Sequence, residues 1–347
     1  MEKAVIKGLD LAELESWIMS IGEKPYRARQ LYRWMYRMGA RDFAEMTDLS
    51  REFRLKLEGI AELECLRIEM RRQSKLDQSL KYLFRLPDNQ AVEAVYMVEE
   101  NRITVCLSTM VGCPIGCSYC ATGMMGFKRN LTAGEIVDQF LWIRREQSQK
   151  ITNVVLMGMG EPLLNYEAVV KATAILNSEL GAEIAARRIT ISTVGIVPQI
   201  YRYASEGHRY KLAISLNAVN DQQRNTLVPI NQKYPLSELL KAVNYYTRKS
   251  RRRVTFEYVL IKGVNDDSQH ARELIGLLGK IPCKLNVIPY NANEFFPYKA
   301  PGEKELEQFL GKLYQAPFAI TVRRSKGQDI AAACGQLYFR GQSLNDD

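Results

Sequence analysis

Three thiols fall within eight residues in Cys113-Pro114-Ile115-Gly116-Cys117-Ser118-Tyr119-Cys120. Thiolates that close on one loop bind soft metals or iron–sulfur clusters. A structural zinc site takes four ligands, usually with a second pair at finger-like spacing. No second Cys-x-x-Cys stands nearby, and His208 and His270 are the only histidines. Gaps of three residues and then two suit a four-iron, four-sulfur cluster in which one iron has no protein ligand. Such an iron is a place for chemistry. Of the remaining cysteines, Cys106 lies in an apolar run, where a free cysteine is usually a core residue. Cys334 stands in Ala331-Ala332-Ala333-Cys334-Gly335, a poor place for a packing cysteine and a suitable one for a thiol that must swing. Cys65 and Cys283 read as structural.

These thiols need a scaffold. From about residue 102 short β-branched or apolar runs alternate with amphipathic stretches: 103–107, 153–157, 189–193, 212–216, 254–260, 285–288 and 319–322. A helix over 132–145 is expected between the first two, opened by Thr132-x-x-Glu135 as a capping box. Strand alternating with helix means a parallel sheet with crossovers, and six or seven units predict a barrel or partial barrel. The cysteine loop follows the first of these strands. Residues 1–65 read as helical, with Pro25 in the first turn of a helix that Gly39 ends. Residues 66–101 read as a small strand-rich connector, so three units are expected: 1–65, 66–101 and 102–347.

The chain has 347 residues, 46% of them hydrophobic, enough for about two domains and an ample core. Seven scattered cysteines argue against a disulfide-framed secreted protein. The N-terminus carries no apolar signal region, and no run approaches the ~18 apolar residues of a membrane span. A cytoplasmic protein away from membranes is expected. Forty-eight basic against 39 acidic residues leave +9, a field that favours a polyanionic partner. Arg29, Arg33 and Arg37 share a helix face. Arg248, Lys249, Arg251, Arg252 and Arg253 crowd the loop before the fifth strand, and Arg323, Arg324 and Lys326 precede Cys334. The 248–253 run lies at the end of its strand away from the expected site.

Cys-x-x-x-Cys-x-x-Cys resembles the signature of radical S-adenosylmethionine (SAM) enzymes, whose (β/α)6 partial barrel carries its cluster loop after the first strand. Three further stretches are similar to the RlmN/Cfr group of RNA adenine methyltransferases: Ala121-Thr122-Gly123 with Gly126-Phe127-Lys128-Arg129-Asn130-Leu131, Met157-Gly158-Met159-Gly160-Glu161-Pro162-Leu163-Leu164-Asn165, and Asp329-Ile330-Ala331-Ala332-Ala333-Cys334-Gly335-Gln336-Leu337. The likeness covers nearly the whole chain and implies an α/β fold, a radical SAM (β/α)6 partial TIM barrel with a small N-terminal helical, RNA-binding domain.

The resemblance also implies roles. Cys113, Cys117 and Cys120 would hold one [4Fe-4S] cluster, whose open iron binds S-adenosyl-L-methionine. Gly160, Glu161, Ser192, Ser215, Leu216, Asn217 and Asn291 would contact that cofactor, all at strand ends where barrel enzymes place their sites. The family more often has His at position 217 and Gln at 110, where this chain has Asn217 and Met110. Asparagine can hydrogen-bond a ribose or carboxylate but cannot titrate near neutral pH. The family's reaction uses two SAM molecules: the first methylates Cys334, and the second supplies a radical that takes hydrogen from that methyl. The carbon then adds to adenine, Glu93 accepts the ring proton, and Cys106 forms a disulfide with Cys334 that frees the product. Implied partners are 23S rRNA and tRNA, and an electron donor such as flavodoxin or ferredoxin, for a monomeric enzyme. Two rivals remain at this stage: methylation of carbon 8, as in the Cfr branch, and an iron–sulfur RNA-binding protein without turnover. Pro162-Leu163-Leu164-Asn165 looks like the carbon-2 branch.

Overall fold

The computed structural model describes residues 3–338; residues 1–2 of the first expected unit and 339–347 of the last lie outside the described residues. The chain opens with β1 (Ala4–Val5), α1 (Leu11–Ser20), α2 (Tyr26–Tyr32), α3 (Arg51–Ile60) and β2 (Ala61–Glu62). Asp10 and Glu13 form a capping box on α1. The helix expected from Pro25 to Gly39 forms, but its second half, Arg33–Met38, widens into a π turn before a left-handed Gly39 ends it. Leu31 and Met35 on this helix are fully buried in one cluster with Leu14, Ile18 and Leu57. One departure from the all-helical expectation is the parallel pairing of β1 with β2, Ala4 against Ala61. Strands two residues long carry no alternation to read. The N-terminal segment is tied to the remainder by a buried Lys7–Asp138 ion pair of 2.6 Å, whose second carboxylate oxygen accepts from the Cys65 N–H.

Next come β3 (Arg67–Gln73), β4 (Leu80–Arg85) and β5 (Ala91–Glu99), then β6 (Arg102–Cys106), β7 (Met110–Gly112), α4 (Ala121–Met124), β8 (Phe127–Asn130), α5 (Ala133–Glu146) and β9 (Asn153–Leu156). The chain continues through α6 (Tyr166–Asn177), β10 (Ile189–Thr193), α7 (Val197–Glu206), β11 (Lys211–Ser215), α8 (Asp221–Leu227) and α9 (Leu236–Ser250). It finishes with β12 (Val254–Leu260), α10 (Ser268–Leu278), β13 (Cys283–Pro289), α11 (Glu303–Leu313) and β14 (Ala319–Val322). All seven apolar runs expected as strands form them, with ends shifted by no more than two residues. The Thr132/Glu135 capping box opens α5 as expected.

One ten-stranded sheet runs β14-β13-β12-β11-β10-β9-β6-β5-β4-β3. From β6 to β14 every pairing is parallel, as the βα alternation demands. Val105, Val154, Ile191, Ile214 and Phe256 are fully buried, while Thr104, Val155, Thr190 and Thr255 alternate with them and line the lumen. The 66–101 segment is more than a connector. Its strands pair antiparallel and β5 joins β6, so they extend the sheet beyond the barrel.

Candidate active site

The thiol loop leaves β7 through Gly112, which is left-handed at φ +72°; a Cβ there would lie 1.7 Å from the Gly126 carbonyl oxygen. Only glycine lets the β7–β8 hairpin close this tightly. The Cys113 N–H donates to that carbonyl at 3.1 Å, and the Ser118 N–H to the Leu227 carbonyl at 3.1 Å. Cys113, Cys117 and Cys120 line a cavity at the C-terminal ends of the parallel strands, about 910 Å³ including its open mouth. Burial pushes the Cys113 thiol up to about 12 and the other two above their usual value. Ligation must therefore release protons. Among the described residues no three His, Cys, Asp or Glu side chains are placed to hold a single metal ion. Three soft thiols spread along one cavity wall are instead the donor set of an iron–sulfur cluster.

Opposite lie the strand ends. Gly160 is left-handed at φ +103°, and a Cβ would meet Met110 at 2.7 Å. The buried Glu161 carboxylate accepts from the Leu163 N–H at 3.0 Å and the Val194 N–H at 2.9 Å, linking the ends of β9 and β10, and burial raises it to about 7. Ser192, Ser215, Asn217 and Asn291 line the same cavity. Asn217 is left-handed (φ 61°), a conformation asparagine tolerates. Its amide donates to the Tyr119 hydroxyl at 2.6 Å and accepts from the Val259 N–H at 2.9 Å, so the residue both faces the cavity and fixes the tyrosine between two ligand thiols. The Asn291 amide donates to Ser325 Oγ at 2.9 Å and to the Cys334 carbonyl at 3.1 Å. Leu216 does not line the cavity. It is fully buried, and its carbonyl accepts from Arg224 Nε at 3.0 Å.

The Radical SAM superfamily model matches residues 107–275, and the model described as the ribosomal RNA large subunit methyltransferase N-terminal domain matches residues 5–63. A probable dual-specificity RNA methyltransferase RlmN of Thermoanaerobacter sp. (strain X514) is 46% identical over 96% of this chain and 97% of its own length. The dual-specificity RNA methyltransferase RlmN of Geobacter sulfurreducens is 44% identical over 96% of this chain and 91% of its own. The crystal structure of a radical SAM methyltransferase from Sphaerobacter thermophilus superposes with a TM-score of 0.93 at 45% identity, covering 98% of this chain and all of that one. The chain belongs to the RlmN family of radical SAM RNA methyltransferases. The family implies a [4Fe-4S] cluster and SAM; the three cavity thiols fit the first, and the glycine-opened, serine-lined strand ends leave room for the second.

In this RlmN-family chain a second, smaller pocket adjoins the first and is lined by Cys106, Cys120, Arg323 and Cys334. Burial, then the neighbouring Cys334, pushes the Cys106 thiol up to about 12, while Arg323 opposes the rise. Arg323 itself is held above its ordinary value, first by the field of Cys334, against the cost of burial. The Arg323 guanidinium thus partly offsets the cost of the Cys106 thiolate that disulfide formation requires. Arg323, which the sequence shows only as one of three basic residues before Cys334, lies in the site. Its position at the C-terminal end of a strand was the available signal. Glu257, buried beneath the cavity and hydrogen-bonded to Asn286 at 3.0 Å, was also missed; a lone acid in Val254-Thr255-Phe256-Glu257-Tyr258 was its signal. Glu93 lies outside both pockets. Its carboxylate pairs with Lys81 at 2.9 Å and accepts from the Tyr338 N–H at 3.0 Å.

The cysteine-bearing loop is held from both sides. The Ala121 N–H donates to the Gly335 carbonyl at 2.7 Å and the Thr122 hydroxyl to the Leu337 carbonyl at 2.7 Å, joining it to the ligand loop. From the β3–β4 turn, Ser74 and the Lys75 N–H donate to Asp329 at 2.7 and 2.8 Å, and Asp77 accepts from the Gly327 N–H at 2.8 Å. Lys81 also donates to the Ala331 carbonyl at 3.3 Å.

Proposed function

We propose that this chain methylates carbon 2 of adenine in 23S rRNA, in the peptidyl-transferase region, and in tRNA beside the anticodon. The observation that carries the reading is the shared pocket of Cys106 and Cys334, next to ligand thiol Cys120. Carbon 2 of adenine is electrophilic, so direct transfer from a sulfonium methyl is a poor route to it. When bound, the cluster and two SAM molecules per turnover supply the methyl group and the hydrogen-abstracting radical. Cys334 carries the transferred carbon to the ring. Cys106, as thiolate, then attacks the Cys334 sulfur; the S–S bond forms, the Cys334 sulfur–carbon bond breaks with its electron pair on carbon, that carbon takes up a proton to become the methyl group, and the electron spent on making the radical would return to the cluster. Glu93 accepts the ring proton, which requires the loop held at Tyr338 to move, since that N–H now occupies one carboxylate oxygen. Gly160, Glu161, Ser192, Ser215, Asn217 and Asn291 contact SAM, while Leu216 packs behind them with both backbone groups bonded within the protein.

A one-electron donor of the flavodoxin or ferredoxin class would reduce the cluster of a monomeric, cytoplasmic enzyme. No helix among the described residues is long and apolar enough to cross a membrane. Carbon 2 is favoured over carbon 8 by the Pro162-Leu163-Leu164-Asn165 likeness. Nucleoside mass spectrometry of 23S rRNA and tRNA treated with the anaerobically reconstituted enzyme tests the reading. 2-Methyladenosine in both is expected; 8-methyladenosine, or no methylated adenosine, overturns it.

A further inference from the structure

The cations not absorbed by the site gather at the other end of the barrel. The helix-to-strand return loops emerge there, and three of them carry arginines next to the strand they enter. Arg187 and Arg188 precede β10, Arg209 precedes β11, and Arg251, Arg252 and Arg253 precede β12, all exposed. Lys211 begins β11 and Lys284 follows the first residue of β13. Glu183, an acid of these loops, is already paired with Arg37 at 3.1 Å. Among the described residues, no carboxylate pairs with Arg187, Arg188, Lys211, Arg253 or Lys284.

These charges act on one another. Partial burial, then Lys284, Arg102, Arg187 and Arg188, hold the Lys211 ammonium below its usual pKa. Lys211, Lys284 and Lys326 also line the wide polar lumen, about 1350 Å³ including open solvent, where Arg102 is already paired with Glu99 at 3.1 Å. Uncompensated cations clustered against their own repulsion fit a partner that brings dense negative charge. A solvated loop has no use for such a concentration on one end of a barrel.

We propose that the N-terminal end of the barrel is a second RNA-binding surface, which takes phosphodiester backbone of the substrate RNA away from the modified base. This rests on the reading that the substrate is RNA. A folded RNA is large enough to touch both ends of one barrel, and phosphate contacts at a distance position it without reading sequence. An acidic electron donor is the poorer occupant, because the cluster thiols lie at the opposite strand ends.

The test uses the full chain with two probes: a long folded fragment of 23S rRNA and a short stem-loop carrying the target adenosine. R187Q/R188Q/R253Q should weaken binding of the long RNA about ten- to a hundredfold at 0.1 M salt and reduce its log–log salt slope by about 2 to 3. Stem-loop affinity and reductive SAM cleavage should not change. K211Q/K284Q should lower the slope by about 1 to 2. An unchanged slope for the long RNA in both variants overturns the surface alone. A wild type that binds neither RNA overturns the RNA reading and the surface with it. Wild-type binding to vesicles of anionic phospholipid, with RNA slopes unchanged in the variants, assigns the face to a membrane and also overturns the proposal.

Discussion

Lys81→Met isolates what holds the Cys334 loop in place. Lys81 and Glu93 form an ion pair of 2.9 Å, with side chains only 10% and 6% exposed. Removing one partner of a buried pair leaves an uncompensated charge, at a cost of about 3–5 kcal/mol. Glu93 can escape that cost by taking up a proton. Burial already raises its pKa, with Lys81, the Tyr338 N–H and Arg72 opposing the rise, and loss of Lys81 raises it further. The folded state then holds the proton more tightly than the unfolded chain. Stability linked to Glu93 is therefore present at low pH and lost as pH rises from about 4.3, the unfolded value, through the folded value. Urea unfolding of Lys81→Met should show little loss at pH 5 and about 3 kcal/mol or more at pH 8. Lys81→Met/Glu93→Gln should recover most of it. Because Lys81 also holds the Ala331 carbonyl, iodoacetamide should alkylate Cys334 faster in the single variant. A loss below about 1 kcal/mol at pH 8, or a double variant as unstable as the single one, refutes the reasoning.

Three other outcomes are expected. Replacing any one of Cys113, Cys117 or Cys120 by Ala should abolish the brown chromophore of the reconstituted protein and its deoxyadenosine formation, checked by iron content and chromatography, since three thiolates leave no spare ligand. Arg29→Gln/Arg33→Gln should reduce the salt slope of RNA binding by up to about two; Arg37 is left out because Glu183 and the Glu179 carbonyl already engage it. Glu161, raised to about 7 by burial, should make the cluster-free protein lose about 3 kcal/mol of stability between pH 4.5 and 7, and Glu161→Gln should flatten that decline in pH-dependent unfolding.

The barrel was legible because each parallel strand is a short β-branched or apolar run with a helix-period segment after it, and the cluster loop because three cysteines at fixed spacing have few other uses. What escaped was lateral and long-range. Nothing in residues 66–101 tells that β5 pairs with β6, because a strand's partner is set by packing across the sheet and not by its own pattern. The β7–β8 hairpin is too short to show alternation, although Gly112 and Gly126 mark its ends. Arg323 reads as one more surface cation in the sequence, and it is the pairing of β14 with β13 at the sheet edge that brings it beside Cys106 and Cys334. The polar contacts of Asn217 and Asn291 depend on loops that meet only in the fold. Leu216 was carried along with its neighbours Ser215 and Asn217, and strand alternation turns it into the core.

The central claim is that Cys334 carries carbon to the base and Cys106 releases it. Cys106→Ala keeps Cys334 and the cluster ligands but lacks the thiol that closes the disulfide. Incubated with RNA, SAM and reductant, it should accumulate as a covalent complex joined through Cys334. Denaturing electrophoresis, followed by nuclease and protease digestion and mass spectrometry of the cross-linked peptide, reads this directly. The account predicts an adenosine bonded through one carbon to the Cys334 sulfur. Free methylated RNA at wild-type yield, with no cross-link, would contradict it.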